Sequence, residues 1–282
     1  VPVSPLTPQL RDQYVRRLNV ERTAAPSVAG LRDLHRAHLD HVPFENLEIQ
    51  LGRATTIDPA ESATRIVNGR GGYCFHLNGA FAALLTSLGY NVTLIRAAVP
   101  DGTDTIVWGN HLALLVEIDG ATWLTDVGFG DGFRDPLPLR PGVVEQPPFT
   151  YRLEDRDGQR WRFDHDKMSS VGGYDFDVTP TQLAEFEPQH TRLSTDPESG
   201  FVQKLVVQSR RPDHTLVLRG CVRTRIDGDG RTSREVTSAD EWLGIMTGEF
   251  GLDLTSIGDD VLLKLWRRVR ATHDEWVRAG RP

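Results

Sequence analysis

HLALLVEIDGATWLTDV, residues 111–127, carries apolar side chains at every second position up to Asp119-Gly120, a pair that favours a tight chain reversal. The stretch predicts an antiparallel hairpin. With Asp119 and Gly120 as a two-residue turn, Ile118 faces Ala121 and Ala113 faces Asp126. His111 shares the face of Ala113, so His111 and Asp126 become diagonal neighbours roughly 7–8 Å apart at the backbone, a gap that side chains close. Leu112, Leu114, Val116, Ile118, Trp123 and Val127 then gather on the opposite face, an apolar surface that supports the same register.

Working outward, the period is helical before residue 90 and mostly two after it. Leu10, Tyr14 and Leu18, then Leu31, Leu34 and Leu39, fall near helical spacing. Pro43 ends that run, which makes HVPFENL (41–47) an extended turn. In DPAESATRIV, Asp58 is placed to cap a helix that starts with Pro59. Leu77, Phe81, Leu84, Leu85 and Leu88 form one face of a helix stopped by Gly89. NVTLIRAAV, FTYRLE, QRWRFD, FVQKLVVQ and TLVLRGCVRTRI read as further strands, and DGDG (227–230) as a hairpin turn lacking the downstream ligands of a calcium loop. The tail, DDVLLKLWRRVRATHDEWVRAG, is an amphipathic helix. This is an α+β chain, with changes of period near residues 85 and 195.

Composition narrows the function. The 282 residues suit two domains, or three small ones sharing a core, and 39% hydrophobic with 25% charged residues is ordinary for a globular protein. A net charge of −7 repels phosphate backbones, so no nucleic-acid partner is expected. No apolar run reaches membrane-spanning length, and VPVSPLTPQLRDQY lacks the pattern of a secretory signal, so the expectation is a cytoplasmic protein with no membrane partner. Cys74 and Cys221 are the two cysteines; without CxxC or Cys/His spacing they suggest neither a disulfide framework nor a metal site.

Cys74 sits in RGGYCFHLN (70–78), directly after two glycines and at the first turn of the helix ending at Gly89. A thiolate attacks where a thiol does not, and unpaired amides at a helix N-terminus favour a thiolate and an oxyanion alike. His76, two residues on, points away from the cysteine on a helix. The partner is instead His111, oriented by Asp126, which gives the logic of an acyl-transfer triad. From the residues alone the alternative stands level with it: a buried inert cysteine, a structural histidine and a turn aspartate. His35, His38 and His41, at intervals of three, read as a solvated or capped helix face rather than a metal site, and Cys221 as core. GFGDGF (128–133) departs from a dinucleotide fingerprint in the place of its third glycine and reads as a turn whose amides approach an anion.

RGGYCFHLN, with HVPFENL upstream and NHLALLVEI then WLTDVGFGD downstream, resembles the arylamine N-acetyltransferase family; the second half, with STDPESGFVQKLVVQ, resembles it more loosely. The resemblance implies an N-terminal helical bundle (1–85), a central antiparallel β-barrel (86–195) and a C-terminal α/β lid (196–282), with a papain-like Cys-His-Asp triad. It implies transfer of acetyl from acetyl-CoA through an acetyl-cysteine to an arylamine, arylhydroxylamine or hydrazine, with no metal. Cys74 would be the nucleophile, His111 the base and Asp126 its orienter. Phe44, Phe129 and Phe201 match acceptor-pocket positions, and Gly128, Gly130 and Asn110 are expected against coenzyme A. Apart from the resemblance, Arg70, Arg134 and Lys204 are candidates to supply positive charge, the alternative being cations that simply solvate a surface. His76 stands where the family usually has Glu, and is expected to be exposed near the cleft mouth with no special role. Two rivals share the thiol: an amide synthase closing a macrolactam from a carrier-bound acyl chain, and a thiol hydrolase.

Overall fold

The computed structural model describes residues 3–21, 25–100, 106–169 and 171–280. The chain opens on helices α1 (Pro8–Arg17), α2 (Val28–His41), α3 (Leu47–Gln50), α4 (Pro59–Val67) and α5 (Cys74–Ser87), with the two-residue strand β1 (Phe44–Glu45) between α2 and α3. Asp58 caps α4 as its sequence predicts, its carboxylate accepting the Glu61 amide at 2.8 Å. Helix α5 begins after Tyr73, whose backbone is extended, and is followed by Gly89 at φ +88°, which a residue with a Cβ rarely adopts. Every residue of α5 from Cys74 to Leu85 is buried, not one face alone. The reason is tertiary: α5 threads between α4 on one side and two barrel strands on the other. Complete burial of Phe75, Leu77, Phe81, Leu84 and Leu85 contributes roughly 1.5–3 kcal/mol per side chain and holds the helix that carries Cys74.

Strands β2 (Asn91–Ala98), β3 (His111–Ile118), β4 (Ala121–Thr125), β5 (Leu137–Pro138), β6 (Gly142–Gln146), β7 (Phe149–Asp155), β8 (Arg160–Asp164) and β9 (Gly173–Pro180) form one sheet in the order β5-β4-β3-β2-β9-β8-β7-β6. Its edge strands, β5 and β6, are joined by residues 139–141, so the antiparallel sheet curls into a nearly closed barrel. The β3–β4 hairpin has the register read from the sequence: Ile118 pairs with Ala121 and Leu114 with Thr125. Asp119 and Gly120 both have positive φ, +51° and +75°, as a two-residue turn of the right twist requires. Leu112, Leu114, Val116, Ile118 and Val127 join the core of the helices, whereas Ala113, Leu115 and Leu124 join the barrel core with Phe133, Phe163 and Phe176. The hairpin is thus a wall shared by two cores.

The C-terminal part holds α6 (Glu187–Thr195), α7 (Gly200–Gln203), β10 (Val206–Arg210), β11 (His214–Arg219), β12 (Val222–Asp227), β13 (Gly230–Glu235), α8 (Ala239–Gly244) and α9 (Asp259–Arg278). Two expected strands differ. FVQ of FVQKLVVQ is the helical turn α7, begun by Ser199, whose hydroxyl accepts the Phe201 amide at 3.2 Å. TLVLRGCVRTRI is two strands, broken where Gly220 turns at φ +59°, and Cys221 is buried in that turn, against the core. DGDG joins β12 to β13 as expected. The second sheet has the order β1-β10-β11-β12-β13, so a strand from the HVPFENL segment forms its edge. Phe44 also bridges Gly72 in parallel, and Glu45 donates its amide to the Gly72 carbonyl at 2.8 Å. Those bonds tie the RGGYC loop to the C-terminal sheet.

Candidate active site

Cys74 is the first residue of α5, so the Cys74, Phe75 and His76 amides open the helix without an acceptor in the preceding turn. Cys74 as a whole is 4% exposed, and its Sγ lies 4.0 Å from the Asn110 carbonyl oxygen. His111 begins β3, and its Nε2 meets Asp126 Oδ2 at 2.7 Å. Asp126 accepts there, which leaves Nδ1 for the thiol. Burial alone would push the His111 imidazolium down; the Asp126 charge and hydrogen bond, joined by Cys74, reverse this and take the pKa up to about 10. Burial likewise opposes the Asp126 carboxylate, but His111, Asn78 and the Gly128 amide together hold its pKa below the usual value.

Asn78, absent from the sequence-based candidates, completes this group. It is fully buried one helical turn beyond Cys74. Its Nδ2 donates to Asp126 Oδ1 at 2.7 Å and to the Leu112 carbonyl at 2.6 Å, and its Oδ1 accepts the Val127 amide at 2.9 Å. The helix with the thiol thereby grips β3, which carries His111, and the start of the loop that carries Asp126. A sequence signal existed: an asparagine four residues after the cysteine, within an apolar helix. Tyr174 of β9 was also missed; its buried ring lies 5.0 Å from the His111 ring.

A cleft of about 340 Å³ opens beside the thiol, lined among others by Phe44, Cys74, Asn110, His111, Phe129 and Phe201. All three predicted aromatic residues therefore meet there. Phe129 stands edge-on to the His111 ring at 5.5 Å, and Phe201 packs on Phe44 at 6.1 Å. Lys204 and Arg219 stand exposed where this cleft adjoins a second cavity of about 380 Å³, which they also line.

Several of the expected contact residues also have partners within the fold. The Gly128 amide donates to Asp126 Oδ1 at 2.8 Å, and a Cβ at Gly128 would come within 2.7 Å of both Cys74 Cα and Asn78 Nδ2. Gly128 thus lies against the nucleophile, on the lining of the cleft. Gly130, at φ +88°, packs against the Gln208 side chain. The Asn110 amide closes on both backbone groups of Val99 at 2.8 Å each, so its polar atoms hold the ends of β2 and β3 together. Arg70 is buried against Glu48 at 2.9 Å and Glu45 at 3.6 Å, and Arg134 forms a bidentate pair with Asp40. Neither guanidinium is free for a phosphate.

His76 is buried, not exposed at the mouth: its Nδ1 accepts the Tyr73 amide at 3.4 Å and its ring packs 4.4 Å from that of Tyr73. Burial, with Arg65 and His190 nearby, holds it neutral. On α2, His35 and His38 are likewise buried rather than solvated, while His41 at its end is half-buried. His38 meets the Tyr14 hydroxyl at 2.9 Å, and His35 is fully buried. Among the described residues no cluster of His, Cys, Asp and Glu could hold a metal ion, and no helix is long and apolar enough to cross a membrane.

A sequence profile described as N-acetyltransferase matches residues 27–258. The arylamine N-acetyltransferase of Escherichia coli (strain K12) is 30% identical over 285 residues, covering 98% of this chain and 100% of that protein. The structure of the arylamine N-acetyltransferase from Salmonella typhimurium aligns with a TM-score of 0.84 at 27% identity, over 94% of this chain and 99% of that one. The structure of the Mycobacterium marinum arylamine N-acetyltransferase in complex with CoA aligns with a TM-score of 0.82 at 27% identity, over 92% and 97%.

Proposed function

The chain belongs to the arylamine N-acetyltransferase family, and from that premise we propose that Cys74 carries the acetyl group between two half-reactions, with His111 as its base and Asp126 as the orienter of His111. The protein is an acyltransferase that acetylates arylamines with acetyl-CoA as donor. The observation that carries the residue assignment is the buried 2.7 Å His111–Asp126 contact beside a thiol at a helix N-terminus, facing an aromatic cleft.

In the first half-reaction the Cys74 thiolate attacks the acetyl carbonyl carbon, and the amides opening α5 face the charge that develops on its oxygen. The carbon–sulfur bond to coenzyme A breaks, and the proton held by His111 passes to the departing thiolate. In the second, the amine nitrogen attacks the acetyl-cysteine, His111 takes its proton, and Cys74 leaves as the thiolate. Phe44, Phe129 and Phe201 stack on the flat ring of the acceptor, which extends to arylhydroxylamines and arylhydrazines. Lys204 and Arg219, exposed at the junction of the two cavities, receive the phosphates of coenzyme A. We keep 1–85, 86–195 and 196–282 as the three units that supply thiol, His-Asp pair and cleft wall.

Mass spectrometry after acetyl-CoA treatment tests the assignment. One added acetyl group on a peptide containing Cys74, discharged by an arylamine and absent in Cys74→Ala, is expected. Turnover by Cys74→Ala, or an adduct elsewhere, would overturn it.

A further inference from the structure

His35 reaches from α2 to the two ends of the loop that carries Asp126. Its Nδ1 lies 2.8 Å from the Arg134 carbonyl oxygen, and its Nε2 lies 3.4 Å from the Asp126 amide nitrogen. A carbonyl only accepts and an amide N–H only donates, so the ring is the neutral tautomer with its proton on Nδ1. The ring stacks on Phe133 of the same loop at 5.7 Å and 12°, and meets Phe81 of α5 edge-on at 6.2 Å. Burial pushes the His35 imidazolium down to about 4, against the pull of the Arg134 carbonyl and of Asp126 and Asp135, so the neutral form persists around neutral pH.

The loop so spanned holds Gly128 and Phe129, which frame the thiol and the cleft. Its far end is pinned to α2 a second time, by Arg36–Asp135 and Arg134–Asp40. Its near end, the Asp126 amide, meets α2 through His35 Nε2. Without that acceptor a buried N–H is left unpaired, and the loop relieves the cost by rotating. Rotation at Asp126 moves the carboxylate off His111.

We propose that His35 is a positioning residue for the acyl-transfer site, its neutral imidazole fixing the backbone from which Asp126 presents its carboxylate to His111. This rests on the reading of Asp126 as the orienter of His111. The donor–acceptor pair, not the ring, does the positioning.

Two variants separate those contributions. His35→Phe keeps a ring to stack on Phe133 and removes both polar atoms; His35→Gln keeps a donor and an acceptor and removes the ring. In His35→Phe, kcat falls on the order of tenfold to a hundredfold, as displacement of a reacting group by about 1 Å produces, while KM for acetyl-CoA stays within about twofold. The pH dependence of Cys74 alkylation by iodoacetamide moves towards that of Asp126→Asn. His35→Gln retains the native pH dependence and a kcat within about threefold, and decides the matter alone if His35→Phe does not fold. A folded His35→Phe with native kcat and pH dependence, or a His35→Gln as impaired as His35→Phe, overturns the proposal. Failure of Asp126→Asn to alter the alkylation profile would instead refute the orienter reading beneath it.

Discussion

Asn78→Leu is the perturbation from which most can be worked out. The two side chains have similar volume, so little cavity results, and the change isolates three hydrogen bonds, to Asp126 Oδ1, the Leu112 carbonyl and the Val127 amide. The bond to the carboxylate is worth about 1.5–3 kcal/mol and the neutral ones about 1 kcal/mol each, which puts the loss at about 3.5–5 kcal/mol. With about 2.1 cal/mol/K of unfolding entropy per residue, that loss lowers Tm by roughly 5–8 °C. Calorimetry reads the shift. A second consequence is energetic coupling, because Asp126 keeps its bonds to His111 and Gly128 but loses the one from the helix of the nucleophile. A double-mutant cycle of Asn78→Leu with Asp126→Asn, scored on stability, should therefore show coupling of about 1.5–3 kcal/mol. A Tm within about 2 °C of native, or additivity in the cycle, would refute the view that Asn78 ties α5 to the carboxylate.

In Asp126→Asn the charge that raises His111 is removed and burial lowers its pKa from about 10. The variant should lose roughly 10³–10⁴-fold in kcat and alkylate Cys74 with a pH dependence different from that of the native enzyme. The sign for stability is also set: with His111 raised above 6.5, its contribution is full below that pH and is lost as pH rises through about 10, while that of Asp126, held below its usual value, is lost as pH falls through its folded pKa. Removing Lys204 or Arg219 should raise KM for acetyl-CoA about threefold to fivefold each with kcat unchanged, an effect that shrinks in salt. An unaltered KM would place the phosphates elsewhere.

The hairpin register and the α4 cap were legible because they are local: a period of two, a two-residue Asp-Gly turn and an Asp-Pro start act over a few residues. The convergence of Cys74 with His111 and Asp126 followed from that register together with the motifs. What no local pattern carried is the set of polar groups that hold the site. Asn78, His35 and Tyr174 act across contacts between distant segments, and the amides of Asn110 and Gly128 bond to nearby partners that the turn geometry selects. His76 and His35 looked like surface residues because neighbouring polar side chains mask them in the sequence; each is buried because another element packs over it, α6 and the Asp126 loop respectively. Chain pattern specifies which residues alternate or repeat, and so which elements form. Which polar atom meets which depends on how those elements close over one another, since a buried donor or acceptor must take whatever partner the packing brings within reach.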